Sequence, residues 1–411
     1  MFLIKIALPI FLLATIGSLS FALDNNIPME SNQPMPEMNQ PENSENQSTW
    51  TQEADQSSPS VESVSFESLE SMPVEQGSFL LKTVAQQSYM RQNTETLFTP
   101  NMEQVKMYLI TPNGNVSIPQ TNIGDFLSNY PQLITGEVTI FVTGIPSTPE
   151  DPTDAIYEIV EAYRARYQGN ENQIQYSDSW DAPTTGSLII IDLGNSLTNF
   201  LNWATLDIEE AGKMVGQAIV NMTEIVPYYN IHLIGHSVGA HVAGAAARYF
   251  AQEKNIQLRR VTGLDPSQIF TGEQHMESKL NRGVADFVDV IHTTSYGAGS
   301  DSNGDVDFYP SGPGSIPPGS TNIVDAMLKA IRYYAETVMP GGERSFMAVG
   351  CNSLKNYNKH RCHGIRVPMG YTTPYDVKGD FVMKVKSKSP YGKNAKTSMK
   401  NYRMRGTAIA F

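Results

Sequence analysis

At 411 residues, the chain is long enough for one large α/β domain or for two smaller domains. Its formal net charge of −13 argues against a nucleic-acid partner and against binding to an anionic membrane surface. Hydrophobic residues make up only 40% of the sequence, because the N-terminal part dilutes them.

Residues 1–22 have the features of a secretory signal peptide. Lys5 precedes an apolar core, and Ser20-Phe21-Ala22 forms a small-x-small cleavage site. The core is too short to span a membrane, so we expect a secreted protein without a membrane span. Residues 23–70 are rich in Asn, Gln, Glu, Ser and Pro, which predicts a disordered segment. Weak helical spacing over 66–81 is expected to open the ordered part.

After residue 95, short apolar runs alternate with segments of helical period. The polar stretch 168–185 is longer than a usual connection. Because strands and helices alternate and each strand is continuously apolar, we expect a mostly parallel sheet covered on both faces. This is the architecture of an α/β-hydrolase fold. The predicted strands are 106–111, 138–143, 188–193, 231–234, 260–264 and 287–292, and the predicted helices are 154–167, 208–222 and 238–248.

The segment Ile231–Arg248 contains a G-x-S-x-G pentapeptide between a predicted strand and a predicted helix. Both glycines are needed, because a serine on such a tight turn has strained dihedral angles and the two backbones pass close beside it. The pattern predicts a nucleophile elbow. Ser237 would be the nucleophile, and the Val238 N–H would help to hold an oxyanion. A plain strand-to-helix turn is the alternative.

A candidate acid follows the next strand. Asp265 ends an apolar run and precedes a proline, and in this fold the acid of the triad follows the serine in the sequence. Its carboxylate would orient the imidazole of a catalytic histidine. The alternative is an aspartate that caps its own turn.

These motifs resemble the pancreatic lipase family over residues 95–395. They are Gly-His-Ser-Val-Gly at 235–239, Thr-Gly-Leu-Asp-Pro at 262–266 and Phe-Val-Asp-Val-Ile-His-Thr at 287–293. Within the family, the stretches 258–267, 304–310 and 332–338 look like those of the yolk proteins, the lipase-like vitellogenins, of higher flies.

By this resemblance, the position of the family's catalytic histidine is occupied by a residue that cannot act as a base. That histidine precedes a helix similar to Leu328–Val338, and its position is occupied by Met327. A thioether cannot accept a proton at physiological pH. Loss of the base removes on the order of a millionfold in turnover. Ser237 and Asp265 would then be relics.

Other parts of the family pattern are also changed or absent. The oxyanion segment corresponds to Thr143–Pro146, where Ile145 would supply the second amide. The lid-like segment is reduced to Ser311–Asp325, and Val284 stands where a calcium ligand is expected. Only about twenty residues follow the last family-like strand, which leaves no lipid-binding β-sandwich. We therefore expect neither a metal nor a cofactor.

Two cysteines, Cys351 and Cys362, are expected to form one disulfide in an oxidising compartment, and the family's eleven-residue offset matches them. His360 and His363, beside this pair, are candidates for a replacement base. His236 and His241 flank the serine in the family without being its base. We expect His292 to be structural and His232 and His275 to be exposed. The sequons at Asn46, Asn115 and Asn221 are glycosylation candidates.

These features predict a secreted yolk or storage protein that no longer hydrolyses esters. Its lipase-like domain would span 71–395, followed by a tail at 396–411. The resemblance implies an oocyte endocytic receptor as partner and suggests an apolar or steroid-conjugate ligand in the former acyl pocket. One alternative is an active secreted lipase or carboxylic-ester hydrolase that uses Ser237 and Asp265 with a relocated histidine. Another is a secreted binding protein outside the yolk.

Overall fold

The computed structural model describes residues 64–91, 97–101, 104–111, 114–119, 123–129, 136–147, 149–167, 185–267, 279–294, 303–357 and 359–396. Several predicted features lie outside these residues. They are the signal peptide 1–22, the segment 23–63, Asn46, the loop 168–184, His275 and the tail from 397 onward.

The strands of the described residues form a single eleven-stranded sheet in the order β10-β9-β11-β8-β7-β6-β5-β3-β4-β1-β2. They are β1 Lys106–Thr111, β2 Gly114–Ile118, β3 Glu137–Val142, β4 Gly186–Asp192, β5 Ile231–His236, β6 Arg260–Leu264, β7 Phe287–Ile291, β8 Val306–Pro310, β9 Met347–Gly350, β10 Arg366–Pro368 and β11 Gly379–Met383.

Seven neighbouring strands, from β4 to β11 in the sheet order, run parallel, and antiparallel strands close the sheet at both edges. Strands β5 to β8 are buried at every position. This explains why most of their residues are apolar, since a parallel strand is covered on both faces. The predicted α/β-hydrolase fold is confirmed.

Eight α-helices lie among the described residues, and none of them is long and apolar enough to cross a membrane. One apolar cluster packs α6 and α7 against one face of the sheet, and a second packs α4 and α8 against the other. The helices are α1 Phe66–Ser71, α2 Val74–Arg91, α3 Ile123–Asn129, α4 Ala155–Tyr167, α5 Phe200–Ala204, α6 Ile208–Met222, α7 Val238–Lys254 and α8 Ile323–Val338.

Helix α1 lies within the segment predicted to be disordered. Ser65 and Ser68 form a reciprocal capping box at its N-terminus. The Phe66 ring is buried, with its centroid 5.6 Å from those of Phe200 and Trp203. Residues 64–70 are therefore ordered, as the helical spacing over 66–81 indicated and contrary to the disorder predicted up to residue 70, because both the local cap and the packing on distant aromatic rings hold this short helix.

Candidate active site

Ser237 lies in the sharp turn between β5 and α7. Its backbone has φ 56° and ψ −125°, a left-handed conformation that is unfavourable for a residue with a Cβ atom. The side chain is completely buried, and its Oγ has no hydrogen-bond partner among the described residues. The strand, turn and helix have the geometry of a nucleophile elbow.

The two glycines of the pentapeptide allow the chain to pass through this turn. A Cβ atom on Gly235 would lie 2.2 Å from the Gly239 carbonyl oxygen, and one on Gly239 would lie 2.6 Å from the carbonyl oxygen of Val142. Neither contact leaves room for a side chain. The sequence prediction that both glycines are required therefore has a direct steric basis.

The segment after β3 packs directly against the elbow. A Cβ atom on Gly144 would clash with backbone atoms of His236, Val238 and Gly239. The Gly144 carbonyl accepts a hydrogen bond of 2.8 Å from the Trp203 indole, which fixes the loop. The Val238 N–H lies at the first position of α7, where no carbonyl within the helix can accept it. This is the placement required of an oxyanion donor.

Asp265 follows β6, adjacent to the elbow, and its carboxylate accepts three hydrogen bonds from one loop. Its Oδ1 accepts the N–H groups of Thr293 at 2.8 Å and Thr294 at 2.9 Å, and its Oδ2 accepts the Thr294 hydroxyl at 2.9 Å. Burial raises the pKa of Asp265, and these hydrogen bonds offset only part of that effect. The sequence did not suggest Thr294 as a partner.

Met327 occupies an interior position of α8. The helix begins at Ile323, where the Asn322 side chain accepts the Asp325 N–H at 2.7 Å, and not at Leu328 as the family pattern implied. The Met327 side chain is buried in the core, and its carbonyl lies 3.2 Å from His236 Nε2. Position 327 therefore lies close to the elbow but carries no proton acceptor.

The buried histidines near the site are engaged elsewhere. His241 on α7 contacts the Ser267 carbonyl through Nε2 and accepts the Leu280 N–H through Nδ1. His292 stacks on Tyr309 and lies 2.7 Å from Asp307 Oδ1. His292 has the structural role expected of it, and neither imidazole hydrogen-bonds to Ser237 among the described residues.

His232 was expected at the surface, and this prediction is wrong. The residue is buried in β5, where Nε2 lies 2.7 Å from the Thr262 hydroxyl and Nδ1 lies 3.5 Å from Glu137. Thr262 in turn donates to Asp289, which also forms a buried ion pair with Arg260. This polar network crosses the sheet near the amino ends of its strands, away from Ser237.

The two candidate replacement bases lie near the far edge of the sheet. His360 borders a cavity lined by residues of β9 and β11, and His363 lies beside the end of β9. Four interstrand spacings of about 4.8 Å, roughly 19 Å, separate β11 from β5. Neither imidazole is within reach of Ser237 in this arrangement.

Other predicted residues take defined positions. Cys351 and Cys362 form a disulfide. Asn115 bonds to Arg164 and Glu150, and Asn221 accepts from Gln217 near the end of α6. Val284 is buried, Ile145 is buried beside the elbow loop, and no three metal-ligating side chains cluster among the described residues.

Together these residues form an elbow and an acid without a connecting imidazole. Ser237 is held in the sharp turn between β5 and α7. Among the described residues, however, no histidine contacts both Ser237 and Asp265. The arrangement offers no visible route for removing the serine proton.

Comparison with known proteins places this geometry in context. A family model described as Lipase matches residues 155–391, more than half of the chain. Vitellogenin-3 of Drosophila melanogaster is 37% identical over 362 residues, 82% of this chain and 86% of that protein. Vitellogenin-1 of Ceratitis capitata is 37% identical over 370 residues, 83% and 84% of the two chains. Inactive pancreatic lipase-related protein 1 of Homo sapiens is 32% identical over 182 residues, 36% of this chain and 37% of that protein.

Proposed function

The chain belongs to the lipase family, and we propose that it is a secreted yolk storage protein that no longer hydrolyses esters. Its homology to fly vitellogenins extends over more than four fifths of the chain, which supports the yolk assignment. Uptake by oocytes through an endocytic receptor is part of the same proposal. Residues 1–22 would direct the chain to the secretory pathway.

The missing base is the observation that carries the loss of hydrolysis. In a serine triad the acid accepts the Nδ1–H of the histidine, and the histidine takes the proton of the serine. In this chain the Asp265 oxygens already accept three donors from residues 293–294, and position 327 holds a methionine. Activation of Ser237 therefore lacks its base.

Two measurements test this loss. A fluorophosphonate probe reports whether Ser237 is nucleophilic, and hydrolysis of a short-chain aryl ester reports turnover. We expect neither labelling nor turnover above the Ser237→Ala control. Loss of the base from a serine triad lowers turnover by on the order of a millionfold, which would leave no measurable activity. Labelling or turnover that disappears in Ser237→Ala would contradict the proposal.

An active ester hydrolase with a relocated histidine is the second candidate, favoured by the intact elbow and acid. If Ser237-dependent turnover appears, His275→Ala should be tested first, because His275 lies outside the described residues. His360→Ala and His363→Ala serve as matched controls, since their distance from the elbow predicts unchanged turnover.

Storage and cargo need separate experiments. Immunolocalisation in ovary and egg, together with uptake of labelled full chain by vitellogenic follicles, tests the yolk role. Retention outside the oocyte would support a non-yolk binding protein instead. An apolar or steroid-conjugate cargo beside the fully buried Ser237 would be recovered by organic extraction and mass spectrometry of the purified protein. An extract free of such molecules would remove cargo carriage from the proposal.

A further inference from the structure

Charge is distributed very unevenly along this acidic chain. Residues 341–411 contain 14 lysines and arginines and three acidic residues, whereas residues 1–340 contain 15 and 39. The C-terminal part is therefore strongly basic in a protein whose net charge is −13. Such asymmetry within one chain indicates a surface adapted to a negatively charged partner.

The structure gathers much of this charge near the outer strands β9, β10 and β11. We call this surface the cationic edge and define it by six exposed side chains. Three lie on or beside the 354–361 segment, and three line or border one open cavity of about 340 Å³ together with His360. They are Lys355, Lys359, Arg361, Arg366, Lys384 and Lys393.

The cationic edge is not neutralised within the molecule. None of its six cations forms an ion pair with a carboxylate of the described residues. The cavity that Arg366, Lys384 and Lys393 border is lined by no aspartate or glutamate. Its floor includes the buried Phe346 and Val382, so a carboxylate entering it would meet cations at the rim and apolar atoms below.

The surface is also held rigid and carries an apolar contact. The Cys351–Cys362 disulfide fixes both ends of the segment with the first three cations, and the Tyr357 hydroxyl donates to the Ser311 carbonyl at 3.0 Å. Ile365, next to Arg366, is 66% exposed. Preorganised cations around an exposed apolar side chain are typical of a protein-binding surface, because less entropy is lost on binding.

We propose that the cationic edge is the docking surface for an acidic partner protein. This inference rests on the proposed yolk function, in which the partner is the receptor that carries the chain into the oocyte. A compact acidic protein, or a short acidic segment of one, can face the cationic edge alone. A long polyanion such as heparin or an anionic membrane would also face the acidic remainder of the chain, which repels it within the screening distance of about 8–10 Å.

A binding assay with matched charge variants tests the surface. The probe is a fluorescein-labelled peptide of about 20 residues rich in Asp and Glu, titrated with the full chain and followed by anisotropy. The edge variant is Arg366→Glu with Lys384→Glu and Lys393→Glu. The control variant, Lys82→Glu with Lys213→Glu and Lys254→Glu, has the same net charge and changes exposed cations elsewhere.

We expect the edge variant to bind the peptide about tenfold more weakly or worse, with no change in the control, and the wild-type affinity to fall with added salt. A set of glutamine substitutions at the same three edge positions should give an intermediate loss. Absence of wild-type binding, or equal losses in edge and control variants, would overturn the proposal. So would tighter wild-type binding to heparin or to phosphatidylserine vesicles than to the peptide.

Uptake by vitellogenic follicles then separates this inference from the proposed function. Reduced internalisation of the edge variant, with normal internalisation of the control, supports the receptor as partner. Normal internalisation of both variants overturns the assignment of the receptor to this surface while leaving the yolk role intact. If wild type itself is not internalised, the proposed function fails, and the peptide assay alone decides whether the cationic edge binds acidic proteins.

Discussion

Acid should destabilise this protein through two buried histidines beside the elbow. His241 accepts the Leu280 N–H at Nδ1, so its Nε2 must carry the proton that faces the Ser267 carbonyl, and the ring is neutral. His236 lies next to the Met327 carbonyl through Nε2. Burial lowers the pKa of each ring to about 4 from 6.5, and the hydrogen bonds to carbonyls offset this only in part.

The direction of the effect follows from which state binds protons. Below pH 6.5 the unfolded chain takes up protons at these rings, whereas the folded chain does not until the pH approaches 4. The stability that depends on neutral rings is therefore complete above pH 6.5 and is lost as the pH falls toward 4. Each ring should account for about 2 kcal/mol of unfolding free energy lost between pH 7.5 and pH 5.

The variant His241→Gln isolates one of the two rings. Glutamine can still donate toward Ser267 but does not titrate, so the loss of unfolding free energy between the two pH values should shrink by about 2 kcal/mol. At pH 7.5 the variant should be less stable than wild type, because the Leu280 N–H loses its acceptor. Urea unfolding followed by tryptophan fluorescence measures both quantities, and the exposed His363→Gln is the control. An unchanged pH dependence in His241→Gln would refute the reasoning.

Three further predictions concern the elbow, the disulfide and the missing base. Gly239→Ala should lower the unfolding free energy, measured by urea titration, by about 3 kcal/mol or prevent secretion. The control Gly124→Ala should have little effect, because its added Cβ has its nearest neighbour at 3.4 Å. Replacing Cys351 and Cys362 together by serine should reduce stability by about 3 kcal/mol, as closure of a loop with a separation of 11 residues predicts, and calorimetry would show it. Met327→His should leave aryl-ester hydrolysis at background, because the side chain at position 327 is buried in the core on α8. Recovered turnover would show that an imidazole at this position reaches Ser237 and Asp265.

The centre of the sheet and the elbow could be predicted from the sequence because their causes are local. Strands buried on both faces need continuous apolar runs, and the turn at Ser237 needs glycine on either side. The strands β2, β8, β9, β10 and β11 were not predicted, since each has only three to five residues and a short or interrupted apolar run. The donors to Asp265 could not be predicted either, because Thr293 and Thr294 reach it across neighbouring strands without any local signature. The start of α8 was misplaced because it was taken from the family pattern, whereas Asn322 caps the helix at Ile323.

The two outermost strands of the sheet affect whether molecules of this protein pair edge to edge at high concentration. Exposed strand edges can pair between molecules and start fibrils. At one end, β10 is three residues long and finishes at Pro368, which lacks the N–H that such pairing requires. At the other end, Asn115 ties β2 through its side chain to Glu150 and Arg164. The sheet therefore ends on edges that discourage continuation into a neighbouring molecule.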